Sequence, residues 1–465
     1  AELMVHIDPN SYEKYIVYEN GKPVIYVMLK KALYGTLRAA LLFWKRLSSQ
    51  LQEWGFVSNP YDPCVANKTI NGKQCTVLWH VDDLKISHVE TSVVDDMIKS
   101  MKQEFGQRFD VTVRRGKVHD YLGLRIDLSE KGRVILSMYD FIAELLKETP
   151  EELLKGPAKS PASNYLFHVN AAAQKLDNES AVLYHHLTAK LLYLSKRTRP
   201  DLLPTVSFLC TRVQAPDVDD WKKLGRCLTY LRDNANEPYI LSMDDGCLRI
   251  RWWVDASYGV HPDLKGHTGA TMSMGRGCMF SISRKQKLNT RSSTEAELVG
   301  VDDAMSLILW TRLFLQNQGY TIEDNLLYQD NQSAMLLEKN GKMSSGKRTR
   351  HLDIRFFFVT DNVEKRHLRI EYCPTDDMIG DFFSKPLQGS KFIRFRGEIM
   401  GSTPIRSPPM TEPVHKECIE TSDPGIPSKT NVEADPATLW TEVVRKKRKK
   451  KTDVLSRMTR SNLLQ

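Results

Sequence analysis

The sequence predicts a multidomain chain of the α/β (α+β) class, and three observations support this prediction. The length of 465 residues exceeds what a single hydrophobic core usually serves. Apolar residues make up 41% of the chain and charged residues 26%, the proportions of ordinary folded domains. Residues 247–388 contain three successive extended segments and then alternating helical and extended ones, a pattern typical of a mixed sheet with flanking helices.

The first 130 residues combine a helical stretch with apolar hairpins. Apolar residues recur at three- and four-residue spacing between residues 32 and 54, which predicts a helix. Two apolar runs, CTVLWHV and LKISHV, flank Asp82 and Asp83 and predict a hairpin with acids at its tip. The pattern then predicts an amphipathic helix over 93–105 and a strand pair within 117–137.

Residues 131–246 are predicted to be mainly helical. The predicted helices span 140–147, 180–198, 202–213 and 219–233, with prolines between them. In residues 247–388, the three strands lead into a long helix over 293–318, and a final helix is expected over 376–384. Residues 389–465 are poor in aromatic side chains and are expected to be a largely disordered basic tail that includes the run Arg445–Lys451.

Composition favours an intracellular protein with a polyanionic partner. The formal net charge is +9, and phosphates are held first by Lys and Arg. Eight scattered cysteines without zinc spacing indicate free thiols in a reducing compartment. No apolar run approaches the roughly 18 residues of a membrane span, so we expect no membrane partner. We expect the cytoplasm, and the basic run adds the nucleus as a second compartment. The start at Ala1 suggests a fragment of a longer polypeptide.

Two acids end predicted strands in residues 247–388. Asp255 ends WWVDAS, and Asp330 ends LLYQDN immediately before a helix. Taken singly, each could be a helix cap or a turn residue. Acids that converge from several strands at one end of a sheet would instead suit a pair of divalent ions, because hard Mg²⁺ prefers carboxylate oxygens and Mn²⁺ can replace it.

The long helix offers two further candidates, Glu295 and Glu297, which lie about 200° apart around the helix axis. Glu297 shares an apolar stripe that should face the sheet, whereas Glu295 should face water. A glutamate on an apolar stripe is costly without a partner, so we choose Glu297. The alternative is first-turn placement that complements the helix dipole. In the last helix, Asp376 is expected to be an N-cap, while Asp381 lies among apolar residues and could point toward the sheet.

These segments resemble the RNase H domain of copia-type (Pseudoviridae) retrotransposon polyproteins. The resemblance rests on WWVDASYG, HTGATMSMG, RSSTEAELVG, LYQDNQSA, RTRHLDIRFFFV and CPTDDMIGDFFSKPLQG, in the same order and spacing. It implies a nuclease that cuts RNA in RNA–DNA hybrids with two Mg²⁺ or Mn²⁺ ions. It also marks His351 as a position near the site, while the Phe356–Phe358 stretch lacks a histidine that the family often has. The metal-binding acids implied by the resemblance are Asp255, Glu297, Asp330 and Asp381.

Residues 29–88 resemble the later part of the reverse transcriptase palm of the same family. The HVDD segment matches the polymerase hairpin, which implies that Asp82 and Asp83 are paired catalytic, metal-binding carboxylates. The family's third carboxylate lies on an earlier strand that residues 1–28 do not match, and Asp8 is a poor substitute because a proline follows it. The polymerase site is therefore expected to be incomplete in this chain.

The resemblance divides the chain into four parts. A partial palm spans 1–130, a thumb- or connection-like helical region 131–246, the RNase H-like domain 247–388 and the tail 389–465. The expected partners are the RNA–DNA hybrid, with its template RNA and nascent DNA, and other retroelement polyprotein products. Some cations of the helical region could contact phosphates of the hybrid, or they could simply lie on solvated helix faces. These cations are Lys196, Arg197, Arg199, Arg212 and Lys222.

Two other functions compete with an active nuclease. The chain could be an inactive remnant that binds nucleic acid without cutting it. It could also be an integrase-like transferase, but neither the spacing of the acids nor a zinc module fits that class. The presence of all four implied acids argues against decay of the nuclease site.

Overall fold

A computed structural model describes residues 1–28, 33, 35–106, 111–244, 248–341, 353–406 and 441–445, with only the backbone for 353–357 and 441–445. These ranges form a mixed helix-and-sheet structure with three larger sheets and one small hairpin, in agreement with the predicted class. None of the helices in these ranges has the length and apolar character needed to cross a membrane.

The N-terminal elements are short and peripheral. None of the residues 1–28 is buried, and several of their apolar side chains, such as Ile7 and Met28, are largely exposed. The elements are α1 (Glu2–Ile7), α2 (Pro9–Tyr12) and the antiparallel hairpin of β1 (Ile16–Glu19) with β2 (Lys22–Ile25).

The first large sheet confirms the predicted helix and acidic hairpin. It has the order β3-β4-β5-β6 followed by the strand Thr441–Arg445 and β7, and every pairing is antiparallel. Apolar side chains of two helices, α3 (Leu37–Glu53) and α4 (Thr91–Phe105), pack on this sheet around Val77 and Ile86. The elements are α3 (Leu37–Glu53), β3 (Val57–Asn59), β4 (Asp62–Ile70), β5 (Lys73–His80), β6 (Asp83–Ser87), α4 (Thr91–Phe105) and β7 (Val111–Arg115).

The middle of the chain is helical, as predicted, but it also contributes strands to a second sheet. The four helices surround a core that includes Leu187, Leu191 and Leu228. The elements are β8 (Val118–Tyr121), β9 (Leu124–Asp127), β10 (Val134–Ser137), α5 (Tyr139–Glu148), α6 (Asn178–Ser195), α7 (Leu203–Cys210), α8 (Val218–Asp233) and β11 (Tyr239–Met243).

The third sheet has the order β15-β13-β12-β16-β17, with β12 and β16 parallel at its centre. Trp252 and Trp253 on β12 are fully buried on opposite faces, so both faces of this strand are covered. The elements of this part of the chain are β12 (Leu248–Ser257), β13 (His267–Ser273), β14 (Gly275–Arg276), β15 (Phe280–Lys285), α9 (Ser293–Asn317), β16 (Ile322–Gln329), α10 (Gln332–Asn340), α11 (Asp353–Glu364), β17 (Arg369–Tyr372), α12 (Asp381–Ser384) and α13 (Gly389–Met400). Of these strands, β14 pairs with β11 and belongs to the second sheet.

Two predictions about the C-terminal part were wrong. The expected helix over 376–384 is divided into a 3-10 turn, Thr375–Asp377, and the short α12, which begins at Asp381. The expected disordered tail does not begin at residue 389, because Gly389–Met400 forms α13 and buries Phe392, Phe395 and Ile399 in the core of the helical region. Aromatic spacing within α13 explains this order, since these three side chains lie on one helix face.

Candidate active site

Two of the predicted acids lie at the carboxyl ends of neighbouring parallel strands. Trp253 on β12 pairs with Tyr328 on β16, and the acids Asp255 and Asp330 each follow two residues later. Asp255 is buried, with 1% of its surface exposed, and Asp330 is half-buried immediately before α10. Because both strands run in the same direction, their ends bring the two carboxylates to one edge of the sheet.

Helix α9 brings Glu297 to the same place. Its predicted apolar stripe is buried against the sheet, with Val301, Met305 and Ile308 inaccessible to solvent. The Glu297 carboxylate is buried as well, and its Oε2 atom accepts a hydrogen bond from the backbone N–H of Ala256 at 3.0 Å. The helical stripe therefore carries a carboxylate to the residue that follows Asp255.

The structure brings Asp255, Glu297 and Asp330 together, with ligand oxygens that all lie within 4.8 Å of one another. Burial raises the pKa of Glu297 well above its usual range, and the negative charge of the nearby carboxylates adds to this effect. Burial also raises the pKa of Asp255 to about 6, although the Lys385 ammonium opposes this. Raised pKa values in a buried group of acids reflect negative charge that the protein does not fully neutralise. Such a site fits a hard cation.

Asp381 lies beside this group but is not a member of it. The residue is buried at the start of α12, as the apolar surroundings suggested. Its carboxylate forms ion pairs with Lys385 and with Lys391, the latter at 2.7 Å. Lys385 in turn lies 3.3 Å from Asp255, so Asp381 reaches the three acids through a lysine.

The expectation that Glu295 faces water was wrong. Only 4% of its surface is exposed, and its Oε2 atom accepts a hydrogen bond from the backbone N–H of Arg291 at 2.7 Å. Helical periodicity could not reveal this contact, because it comes from the loop before α9. Glu295 lies outside the group formed by Asp255, Glu297 and Asp330.

Asp82 and Asp83 lie at the tip of the β5–β6 hairpin, as predicted. Asp83 begins β6 opposite His80, and Val81 and Asp82 form the turn between the strands. Val81 has a φ of 56°, which is a strained conformation for a β-branched residue. Within the described ranges, no third acid completes a metal-binding group at this hairpin. The Asp8 carboxylate instead accepts a hydrogen bond from the backbone N–H of Ser11 and caps α2.

Two of the predicted phosphate-contacting cations have structural roles instead. Arg199 is 1% exposed and forms a buried ion pair with Asp201, so it cannot contact a phosphate in this conformation. Arg212 is mostly buried and bridges Asp217 at 3.0 Å and Asp220 at 2.9 Å, at the start of α8. The sequence alone did not identify these aspartates as ion-pair partners, although each lies within eight residues of its arginine.

The remaining predicted cations lie nearer the surface. Lys196 is exposed at the end of α6. Arg197 is half-buried, with its guanidinium 3.5 Å from the centre of the Tyr193 ring. Lys222 is exposed and forms an ion pair with Asp219 at 3.3 Å. Phosphate contact by these three side chains stays a prediction. His351 and all of the basic run except the backbone of Arg445 lie outside the described residues.

Sequence reasoning missed three side chains that contact the acids. Lys385 follows Asp381 by four residues, a spacing that could have suggested an ion pair with Asp381 but not the contact with Asp255. Ser384 donates a hydrogen bond to Asp255, and Thr375 donates one to Asp330 at 3.0 Å. No local pattern distinguishes these two hydroxyls from those of other serines and threonines in the chain.

Comparisons with known proteins agree with the resemblance. Residues 13–153 match the family described as reverse transcriptase (RNA-dependent DNA polymerase). The chain is 25% identical over 379 residues to the retrovirus-related Pol polyprotein from transposon TNT 1-94 of Nicotiana tabacum, covering 80% of this chain and 28% of that protein. It is 26% identical over 383 residues to the Pol polyprotein from transposon RE2 of Arabidopsis thaliana, covering 82% and 25%.

A shorter relative and a solved structure are also similar. The putative transposon Ty5-1 protein of Saccharomyces cerevisiae is 25% identical over 278 residues, covering 59% of this chain and 86% of that protein. The prototype foamy virus protease–reverse transcriptase is 15% identical with a TM-score of 0.23, covering 78% of this chain and 41% of that one. The chain spans about a quarter of the length of the plant relatives. The chain is therefore similar to the Pol polyproteins of copia-type retrotransposons over about 80% of its length, and its residues 13–153 match the reverse transcriptase family.

Proposed function

We propose that residues 247–388 form an RNase H that hydrolyses the RNA strand of an RNA–DNA hybrid. The observation that carries this proposal is the group of three buried or half-buried carboxylates, from Asp255, Glu297 and Asp330. They come from two parallel strands and a helix that are far apart in the chain. Such a convergence is costly for folding unless a cation neutralises it, so it supports a metal-dependent site.

The donor atoms fit Mg²⁺ or Mn²⁺. All three candidate ligands are carboxylate oxygens, which hard divalent cations prefer to nitrogen or sulfur. A bound divalent ion would lower the pKa of a water molecule and stabilise negative charge on the scissile phosphate. Neighbouring lysines would add positive charge beside a phosphate, because Lys385 and Lys391 surround Asp381 at the edge of the site.

Neighbouring groups hold each of the three acids in place. One oxygen of each carboxylate accepts a hydrogen bond, which fixes the orientation of the group before a cation binds. The pairs are Ala256 N with Glu297 Oε2 at 3.0 Å, Thr375 Oγ1 with Asp330 Oδ2 at 3.0 Å, and Ser384 Oγ with Asp255 Oδ2. Substitution of the two side-chain donors, Thr375 and Ser384, should therefore weaken metal affinity without removing a ligand.

The proposed substrate is the hybrid of template RNA and nascent DNA that a reverse transcriptase produces. Selectivity would come from 2′-hydroxyl contacts on one strand and from the groove shape of the hybrid. The relatives are Pol polyproteins, so other products of the same polyprotein are candidate partners. The net charge of +9 supports binding to a polyanion.

The test is cleavage of an RNA-labelled hybrid by the purified chain with Mg²⁺. We expect Asp255→Asn and Asp330→Asn each to reduce the cleavage rate by about 10³-fold or more, since each removes a charge from the metal site. Asp361→Asn is the matched control, because Asp361 is exposed and forms an ion pair with Lys365 on the surface of α11. Cleavage that survives the double variant would refute the proposal. Metal-independent binding without cleavage would favour an inactive remnant.

We further propose that Asp82 and Asp83 are the hairpin carboxylates of a polymerase site that needs a third acid. The match of residues 13–153 to the reverse transcriptase family supports this role. Since no further acid joins them within the described ranges, we expect no primer extension from this chain alone. Primer extension that depends on Asp82 would show that the third carboxylate is present in the chain.

A further inference from the structure

A lysine ammonium group lies among the acids of the proposed nuclease site. The Nζ atom of Lys385 is 3.4 Å from Oδ1 and 3.3 Å from Oδ2 of Asp255. The same atom forms an ion pair with Oδ1 of Asp381. The carboxylates of Asp255 and Asp381 are both almost fully buried, so Lys385 bridges two acids that have little access to water.

Both carboxylate oxygens of Asp381 form ion pairs with lysine ammonium groups in this arrangement. Its Oδ1 atom pairs with Lys385, and its Oδ2 atom lies 2.7 Å from the Nζ atom of Lys391 on α13. This explains why Asp381 stays outside the group formed by the other three acids. A cation shared by Asp255 and Asp381 would have to lie where the Lys385 ammonium group lies.

The Lys385 side chain can move away from this position. It is 40% exposed, whereas the Asp255 and Asp381 carboxylates are 2% and 3% exposed. Lys385 also follows the last residue of α12, so movement of its side chain requires no break in a helix. A flexible four-carbon stem that carries a compact charge suits an exchangeable counterion.

We propose that Lys385 is an internal cation that occupies the second-metal position between Asp255 and Asp381. Without substrate, the protein then binds one divalent ion, at Asp255, Glu297 and Asp330, instead of the two expected from the sequence. A second ion binds only when the Lys385 ammonium group leaves. This inference rests on the proposed function, because it assumes that the three acids hold a metal.

The experiment counts the Mn²⁺ ions bound to the full chain without nucleic acid. Binding is measured by calorimetry and by the electron paramagnetic resonance spectrum of free Mn²⁺. We expect the unmodified protein to bind one Mn²⁺ ion and Lys385→Met to bind two. The affinity of Lys385→Met for the second ion should be about tenfold higher than that of the unmodified chain. Lys385→Arg should retain one ion because it keeps the charge. Lys365→Met is the matched control, since Lys365 forms an exposed ion pair with Asp361 outside the site.

Equal numbers and affinities of Mn²⁺ on the unmodified chain and on Lys385→Met would overturn the proposal. If Lys385→Met fails to fold, Lys385→Gln serves instead, because its amide can still donate a hydrogen bond to Asp381. Failure of the proposed function is distinguishable. If the hybrid is not cut but Lys385→Met gains an ion, the metal inference stands and the nuclease fails. If the hybrid is cut and the ion count does not change, only the role of Lys385 is refuted.

Discussion

Replacement of Asp201 by alanine should destabilise the helical region more than any surface substitution. The Asp201 carboxylate is fully buried and accepts hydrogen bonds from Arg199 Nε at 2.9 Å, from Arg199 Nη2 at 2.8 Å and from the Tyr230 hydroxyl at 2.8 Å. The remaining Nη1 atom of Arg199 donates to the carbonyl of Asn234 at 2.9 Å. Asp201→Ala therefore leaves a buried guanidinium group that, among the described residues, keeps the Asn234 carbonyl as its hydrogen-bond acceptor.

The expected loss of stability follows from this unpaired charge. Removal of one partner of a buried ion pair costs about 3–5 kcal/mol, because the other charge stays in a low dielectric without compensation. The ion pair also keeps the pKa of Asp201 below its usual value, despite the burial that raises it. Arg199→Met combined with Asp201→Leu should cost far less, since neither charge is then buried.

The assay is hydrogen exchange of the backbone amides in α6, α7 and α8, which reports the free energy of opening this unit. A loss of about 3–5 kcal/mol corresponds to exchange that is roughly 150- to 5000-fold faster. The control is Asp219→Ala, which breaks an exposed ion pair with Lys222 and should cost no more than about 1 kcal/mol. If Asp201→Ala exchanges no faster than Asp219→Ala, the assignment of Arg199 as a structural cation is wrong.

Two further predictions concern the surroundings of the site. Burial lowers the pKa of His267 to about 3, so the unfolded chain binds a proton here below about pH 6.5 while the folded chain does not. The contribution of His267 to the free energy of unfolding should thus fall by about 2–3 kcal/mol between pH 6.5 and pH 4.5. Denaturation of His267→Asn at a series of pH values should lack this part of the pH dependence. An unchanged pH dependence would contradict the assignment. Gly269 on β13 lies against α12, where an added Cβ would come within 2.4 Å of the Ser384 backbone nitrogen. Gly269→Ala should cost about 1–3 kcal/mol and reduce Mn²⁺ affinity by displacing α12, and calorimetry that finds unchanged affinity would refute this link.

The sequence alone determined the elements that carry the site. Alternating and helical periodicities depend on local side-chain spacing, so they predicted the strands that end at Asp255 and Asp330, and the stripe of α9 that carries Glu297. The hairpin at Asp82 and Asp83 could be predicted for the same reason. The motif strings also predicted the similarity to copia-type polyproteins, because their order along the chain does not depend on the packing.

The tertiary structure decided which charges are buried and which partners they have. Arg199 and Glu295 were predicted on the surface, but contacts from a neighbouring loop or acid bury both. Lys385 meets Asp255 across 130 residues, and this contact separates Asp381 from the other acids. Periodicity describes one element at a time, whereas the environment of a charge depends on every element that packs against it. Only the folded chain could therefore show that Lys385 lies between Asp255 and Asp381.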